Sequence, residues 1–367
     1  MNDISNAETM AAGGPASRPT GGSGSGRLPT TGKVLPAAFS LVADHAELGP
    51  AVVASLGRVE ERLRTSIAHA DPLADTISRH LFDAGGKRIR PLLTILAAHL
   101  GDPERDEVEQ AAVIVEMTHL ATLYHDDVMD EASVRRGAPS ANSRWGNSVA
   151  ILTGDFLFAR ASDLLADLGP EAVRLQAQTF ERLVTGQIRE TVGARPGEDR
   201  VAHYLEVLAD KTGSLVAASG QLGAIFAGAD ETYVETMVRY GEKIGVAFQL
   251  ADDVIDVTGA RAVSGKTPGT DLREHVPTLP VLLLRRAAAG GDESAARVLE
   301  LVDGDLGTDD ALRAAVTAVG GHPATEESWT VARQWADAAV RSLDPLPDGV
   351  VKDALIGFAR AVVDRSA

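Results

Sequence analysis

Three carboxylates, Asp126, Asp127 and Asp130, fall within five residues of the stretch His119–Arg136, HLATLYHDDVMDEASVRR. On a helix, side chains four apart share a face and those three apart are neighbours. Asp126 and Asp130 therefore project in one direction, one turn apart, with Asp127 beside them. Three anions this close repel one another and weaken an isolated helix. A multivalent cation offsets that repulsion, and oxygen donors with room for water and phosphate suit Mg²⁺. Arg135 and Arg136 close the stretch; guanidinium groups hold phosphate through paired hydrogen bonds and keep their charge. The aspartate spacing recurs in FQLADDVIDVTGA as Asp252, Asp253 and Asp256. One such cluster is most often a solvated helix face. Two copies in apolar sequence are more specific, because an unpaired carboxylate is expensive there.

Other polar residues carry weaker signals. Gly85-Gly86-Lys87-Arg88-Ile89-Arg90-Pro91 lies between two expected helices. Lys87 and Arg90 share a face at a helix start, where backbone N–H groups also favour anions. Alone this is an ordinary basic helix start; beside two carboxylate clusters it reads as a phosphate site. His119 precedes Asp126 by nearly two turns and points along the same face. Lys211-Thr212 opens an uncharged run as a donor pair at a helix end. Lys266 sits in the Gly/Pro-containing SGKTPGTDLREHVPTLP, which could fold back over a metal–phosphate assembly.

The elements that must position these residues read as helices throughout. Val52, Leu56, Val59 and Leu63 form one apolar stripe, and no long alternating β-branched run occurs. The pattern predicts helices over 49–69, 72–83, 88–100, 104–131, 146–168, 170–192, 198–210, 214–227, 230–257, 271–289, 292–302, 308–319, 325–343 and 347–364. Pro and Gly punctuate them at Gly101-Asp102-Pro103, Gly169-Pro170 and Pro345–Gly349. The class is all-α. Residues 1–35, rich in Gly, Pro and Ser, are expected to be a disordered tail, and 36–367 a single helical domain. Thr212–Ala229 carries no charge over 18 residues. Its Gly, Ala, Ser and Gln221 content suits a buried helix with close neighbours better than a membrane span.

Bulk properties exclude some functions. The formal charge of −17 argues against a nucleic-acid binder. It does not preclude a local phosphate site, since distant charges are screened. The absence of cysteine rules out disulfides, a thiolate nucleophile and a Cys–zinc site. No secretory leader is visible, and a cytoplasmic location is expected.

The motifs GGKRIRP, HDDVMDEASVRRG, Lys211-Thr212, FQLADDVID and GKTPGTDL occur in the order of one known family. From about residue 50 to the C-terminal helices, the chain resembles the trans-isoprenyl diphosphate synthases, or polyprenyl synthetases. The resemblance implies an isoprenoid synthase-type bundle around a deep central cavity, acting as a homodimer. It implies head-to-tail condensation of isopentenyl diphosphate with an allylic diphosphate. By that resemblance, Asp126, Asp130 and Asp252 ligate three Mg²⁺ ions, and Asp127, Asp253 and Asp256 support them. Arg135, Lys211 and Lys266 hold the allylic diphosphate. Lys87, Arg90, His119 and Arg136 hold isopentenyl diphosphate. Thr212 and Gln249 turn oxygen dipoles toward the developing carbocation. One departure is His275-Val276, where the family often has Gly-Lys.

The resemblance also suggests a long-chain product, such as a quinone side-chain precursor. Ala121 and Thr122, one turn below Asp126, stand where short-chain relatives carry an aromatic floor. With Met117 below them, they would leave the tail's path open. Product release suggests a peripheral membrane contact. The alternatives are a geranylgeranyl or farnesyl diphosphate synthase, a class I terpene cyclase and a non-catalytic subunit of a heteromeric synthase. The wholly aspartate second motif and the intact Lys87/Arg90/His119/Arg136 set disfavour a cyclase. The retention of both acidic motifs disfavours an inert subunit.

Overall fold

The structure is a computed structural model and describes residues 35–258 and 268–364. Helices dominate. The N-terminal part holds α1 (Ser40–Ala43), α2 (Leu48–Ser66), α3 (Pro72–Asp83), α4 (Ile89–Ala98) and α5 (Asp106–Met129). A hairpin of β1 (Val134–Arg135) and β2 (Ala138–Pro139) follows, then α6 (Ala141–Trp145), α7 (Asn147–Leu168) and α8 (Pro170–Val192). Next come α9 (Arg200–Leu208), α10 (Ser214–Phe226) and α11 (Glu231–Thr258). The C-terminal part is α12 (Thr270–Arg273), α13 (Leu279–Ala289), α14 (Glu293–Val302), α15 (Asp309–Gly320), α16 (Pro323–Ser342) and α17 (Val350–Val363).

Local chemistry explains many of the boundaries. Asp71 caps α3 by accepting from the backbone of Leu73 and Ala74, with Pro72 at the first helical position. Asp199 and Asp292 cap α9 and α14 in the same way. Gly146 and Gly169, both with positive φ, bound α7. The apolar faces meet in one main core. Leu92 and Leu96 of α4, Met117 and Leu120 of α5, and Ile244 and Leu250 of α11 all belong to it.

The uncharged run is a buried helix, and its small residues have a clear use. Along α10, a Cβ on Gly223 would lie 2.1 Å from the Thr94 carbonyl oxygen of α4. A Cβ on Gly241 of α11 would lie 2.5 Å from the Ala217 Cα of α10. The helices pack backbone to backbone, closer than larger side chains allow. No helix among the described residues is long and apolar enough to cross a membrane.

Five features differ from the helices expected. Residues 200–226 run continuously, because a five-residue π turn, Ala209–Gly213, joins α9 to α10 where a gap was predicted. Residues 271–289 are two helices, not one. Pro277 disfavours helix in the residue before it, and Pro280 stands in the first turn of α13. Three elements were not anticipated: short α1, short α6, separated from α7 by Gly146, and the β1–β2 hairpin. In the hairpin turn Arg136 (φ 54°) and Gly137 (φ 77°) both take positive φ, as tight two-residue hairpins require.

Candidate active site

The first aspartate motif ends α5. Asp126 and Asp130 are joined through the backbone, the Asp130 N–H donating to the Asp126 carbonyl at 2.8 Å. Asp127 is fully buried, and Arg135 of the hairpin donates to its Oδ1 at 2.5 Å. Asp127 Oδ2 is buried without a partner. The same Arg135 approaches Asp130 at 3.7 Å. The hairpin thus folds back over the end of α5 and delivers its first arginine to two of the three carboxylates.

The second motif lies near the end of α11. Asp253 accepts from the Tyr204 hydroxyl of α9 and from Gln249 Nε2 at 3.1 Å, one turn back on α11. Asp256 accepts from the Asp271 backbone N–H at 3.2 Å, which fastens the start of α12. The two motifs show the same division. Asp127, Asp253 and Asp256 are buried and engaged by protein groups, whereas Asp126 and Asp252 are half-buried and Asp130 is exposed.

A chain of polar groups links the motifs. Lys211, on the π turn, pairs with Glu190 of α8 at 2.5 Å. Burial pulls the Lys211 ammonium down, but Glu190, with help from Asp126 and Asp130, holds it above the ordinary lysine value. Glu190 also acts on Tyr204, whose phenol is pushed far up by burial and by Asp253. From the first motif to the second, the order is Asp126, Lys211, Glu190, Tyr204, Asp253. Burial raises the Asp126 carboxyl to about 6, against the opposing charge of Lys211 and with added repulsion from Asp130. Burial likewise raises Asp127, opposed by Arg135, and drives Asp253 well above the carboxylate range.

A second set of groups gathers beside the first motif. His119 is held well below its usual value by burial and by the surrounding Arg90, Arg136, Arg88 and Arg135. It is therefore neutral near pH 7. Arg136 donates to the carbonyls of Leu81, at 2.9 Å, and Gly85. Arg90 Nε is buried without a hydrogen-bond partner. Burial lowers the Arg90 guanidinium, while Glu116 and Asp126 act to raise it. Arg88 is different: it is bound by Glu60 at 3.1 Å and by Glu116 at 2.9 Å, and its guanidinium lies over the Phe82 ring. Lys87 is exposed.

Among the predicted residues, Asp126, Asp127, Asp130, Lys211, Arg135, Arg90, His119 and Arg136 form one electrostatically connected neighbourhood. Gln249, Asp252 and Asp253 join it through Tyr204 and Glu190. Thr212 sits on the π turn beside Lys211. Ala121 and Met117 are fully buried on α5, and Thr122 is nearly so. Lys266 lies outside the described residues. Sequence reasoning missed Glu190, Tyr204 and Glu116. No local spacing marks any of them, and only the packing of α8 and α9 against the π turn, and of α4 against α5, gives each a partner. A cavity of about 350 Å³ opens elsewhere, between α8, α10 and α11, lined by Arg174, Gln178, Arg182, Ser214 and Gln221 among others. None of the predicted site residues lines it.

Among the described residues no three His, Asp or Glu side chains come together as a ready-made metal cage. The donor set still fits a hard divalent ion. It is all carboxylate, and Mg²⁺ is commonly held by one or two carboxylates together with water and substrate phosphate. A half-buried Asp126 whose carboxyl is raised and an unpartnered Asp127 oxygen also suit a nearby cation.

Fold and site together define the class, an all-α protein of isoprenoid synthase type with two aspartate motifs, one near the end of α5 and one near the end of α11. The chain belongs to the polyprenyl synthetase family of prenyltransferases; the family model matches residues 71–319. The nonaprenyl diphosphate synthase of Mycobacterium tuberculosis is 48% identical over 316 residues, 86% of this chain and 93% of that protein. The crystal structure of geranylgeranyl pyrophosphate synthase from Corynebacterium glutamicum, complexed with calcium and isoprenyl diphosphate, matches with a TM-score of 0.77. It is 41% identical, over 88% of this chain and 98% of that one. Polyprenyl synthase from Caulobacter crescentus CB15, also complexed with calcium and isoprenyl diphosphate, matches with a TM-score of 0.79. It is 33% identical, over 91% of this chain and 100% of that one.

Proposed function

We propose that this chain condenses isopentenyl diphosphate head-to-tail with an allylic diphosphate, building a long-chain all-trans polyprenyl diphosphate. The observation that carries the reading is the pairing of two aspartate motifs through Lys211, Glu190 and Tyr204, beside a separate basic pocket of Arg90, His119 and Arg136. Asp126, Asp130 and Asp252 would hold three Mg²⁺ ions. When bound, these would neutralise the diphosphate and stabilise it as a leaving group.

The chain's own residues have these roles. Lys211 and Arg135 bind the allylic diphosphate, and Lys266 is assigned to the same group. Asp127, Asp253 and Asp256 hold their neighbouring aspartates in place. As the allylic C–O bond breaks, the diphosphate leaves with the electron pair, and the positive charges around it stabilise the new anion. Thr212 and Gln249 turn oxygen dipoles to the allylic cation. Arg90, Arg136, Lys87 and neutral His119 hold isopentenyl diphosphate so that its double bond meets that cation, which supplies proximity. A new C–C bond forms, and the proton lost from the isopentenyl unit goes to the departing diphosphate.

The working unit is proposed to be a homodimer. Val173, Val184, Ile188 and Val192 form one exposed stripe along α8, and the neighbouring α7 exposes Ile151 and Leu152. Exposed aliphatic groups on two adjacent helices fit association with a second copy.

The test is incubation with labelled isopentenyl diphosphate, an allylic primer and Mg²⁺, followed by mass analysis of the extracted product. A synthase incorporates label. A terpene cyclase consumes primer alone, and an inert subunit does neither. Asp126→Ala and Asp252→Ala should each lower turnover by several orders of magnitude, each decade being about 1.4 kcal/mol of barrier. A near-normal rate in either variant would remove the assignment. The likeness to the C. glutamicum geranylgeranyl pyrophosphate synthase favours a second reading, a product of about four units, which the same product mass decides.

A further inference from the structure

His125 stands directly before Asp126 but takes no part in the reaction as proposed. Its ring points from α5 onto α7. Nε2 lies 3.1 Å from the Ile151 carbonyl oxygen and 3.3 Å from Asp155 Oδ1. Both neighbours are acceptors, so Nε2 must carry the hydrogen. Gly154, between them, leaves room for the ring: a Cβ there would lie 2.3 Å from Nε2 and 3.1 Å from the Ala121 carbonyl oxygen. The Phe158 ring packs against the imidazole at 5.7 Å between centroids. Ile151, Gly154, Asp155 and Phe158 together fix the ring on one stretch of α7. That stretch also carries Ile151 and Leu152, whose side chains face outward.

We propose that His125 is a positioning residue that couples self-association through α7 to metal–diphosphate binding at Asp126. This rests on the homodimer and synthase readings above. The contact is short and specific on both sides. A partner copy pressing on Ile151 and Leu152 fixes the backbone of α7 at the carbonyl that His125 engages. His125 and Asp126 are consecutive on the last turns of α5, so holding the ring against α7 also holds the stretch of backbone from which the Asp126 carboxylate projects. Linkage then works in both directions: filling the metal–diphosphate site tightens the dimer, and dimer formation tightens the site.

The test uses the full-length protein and measures the dimer dissociation constant by analytical ultracentrifugation, with and without Mg²⁺ plus inorganic diphosphate. Titration calorimetry follows binding of the same probe. In the wild type, the probe should tighten the dimer by roughly 5- to 150-fold, the usual range of coupling between sites. His125→Phe fills the space without donating. It should still dimerise and still bind the probe, but the shift should fall to about twofold or less, within ordinary error on the affinity scale. His125→Gln, which returns an N–H at similar reach, should recover most of the shift. A side chain that only fills space would change thermal stability and leave the coupling intact. Retained coupling in His125→Phe, or its absence in the wild type, overturns the proposal. A wild type that stays monomeric removes the homodimer reading and the proposal with it. A dimer that binds no Mg²⁺–diphosphate removes the synthase reading instead.

Discussion

At the scale of single residues, the site divides its six aspartates by burial. The three assigned to metal, Asp126, Asp130 and Asp252, are the more exposed; their neighbours are buried and already engaged by protein groups. This arrangement makes Asp126 a sensitive probe. Its carboxyl is raised from 3.8 to about 6 in the folded protein, chiefly by burial. Between those values the folded chain holds a proton that the unfolded chain lacks. The group's contribution to stability therefore rises as pH falls through about 6, and it is complete below the unfolded value. In metal-free buffer at pH 7.5, Asp126→Asn should melt higher than the wild type, by roughly a few degrees. The margin should shrink as the pH drops below 6. Adding Mg²⁺ and diphosphate should stabilise the wild type and not the variant. Melting curves across this range check the sign, and a pH-independent difference would place Asp126 in a wetter setting. The basic pocket gives a second test. Arg90 Nε is buried without a partner, and a charged hydrogen bond is worth about 1.5–3 kcal/mol. Arg90→Ala should raise KM for isopentenyl diphosphate by roughly 10- to 100-fold. The primer's KM should change far less, and the reverse pattern would exchange the two pockets. The repeated aspartate spacing is visible in the sequence because it is local. Glu190, Tyr204 and Glu116 could not, because each gains its role only from residues far along the chain.

At the scale of elements, the π turn Ala209–Gly213 carries two of the residues to which the proposed function gives a role. It carries Lys211 and Thr212 and packs against α8 and α11. Such one-turn bulges disturb regular helix pairing and often occur at functional sites. Gly186 of α8 makes room for it: a Cβ there would lie 2.6 Å from the Lys211 backbone nitrogen and 3.0 Å from its Cα. Backbone cannot swing aside as a side-chain end can. Gly186→Ala should cost about 1–3 kcal/mol of stability and displace Lys211. KM for the allylic primer should rise roughly tenfold or more, with a smaller effect on isopentenyl diphosphate, given a similar energy spent on one contact. Gly223→Ala, pressed against α4 instead, should lower the melting temperature without that split. Equal kinetic effects in both variants would mean that the turn has no special role. Most helices were legible because Pro, Gly and capping residues mark their ends and the apolar period fills their length. The π turn was not, since no Pro or Gly precedes Lys211-Thr212 to signal an extra residue in the turn. His275 illustrates a further limit. It adopts φ 55°, a left-handed conformation that glycine takes freely and other residues take at a cost of roughly 1–2 kcal/mol. The glycine often found there in the family would thus serve the backbone, a role that the side chain alone does not reveal.

At the scale of the whole molecule, the proposed reaction needs a path for the growing product, and on that proposal the helix that carries Asp126 would also set how far the tail can run. α5 carries Asp126 at its end and Thr122, Ala121 and Met117 successively further back along the helix. Tyr124 does not obstruct this side: its buried hydroxyl donates to the Ile77 carbonyl of α3 at 2.5 Å, so its ring points toward α3. On the proposed reading, the depth below the site would then depend on the small residues. Ala121 is fully buried, and its carbonyl faces Gly154, where α7 backs onto α5. Two effects of a large side chain here must be separated. Phenylalanine at 121 could block the tail, or it could wedge α5 from α7. One helical turn is about 5.4 Å, roughly the reach of one isoprene unit, so a block one turn below the aspartates should stop growth early. Ala121→Phe should yield products of about three or four units, near the one-unit-per-turn expectation, while label incorporation continues. A wedge gives another result: a lower melting temperature, reduced turnover and unchanged product length. Product mass and thermal stability, measured on the same preparation, distinguish the two. An active Ala121→Phe enzyme that still makes the wild-type product would place the floor of the tunnel elsewhere in the bundle.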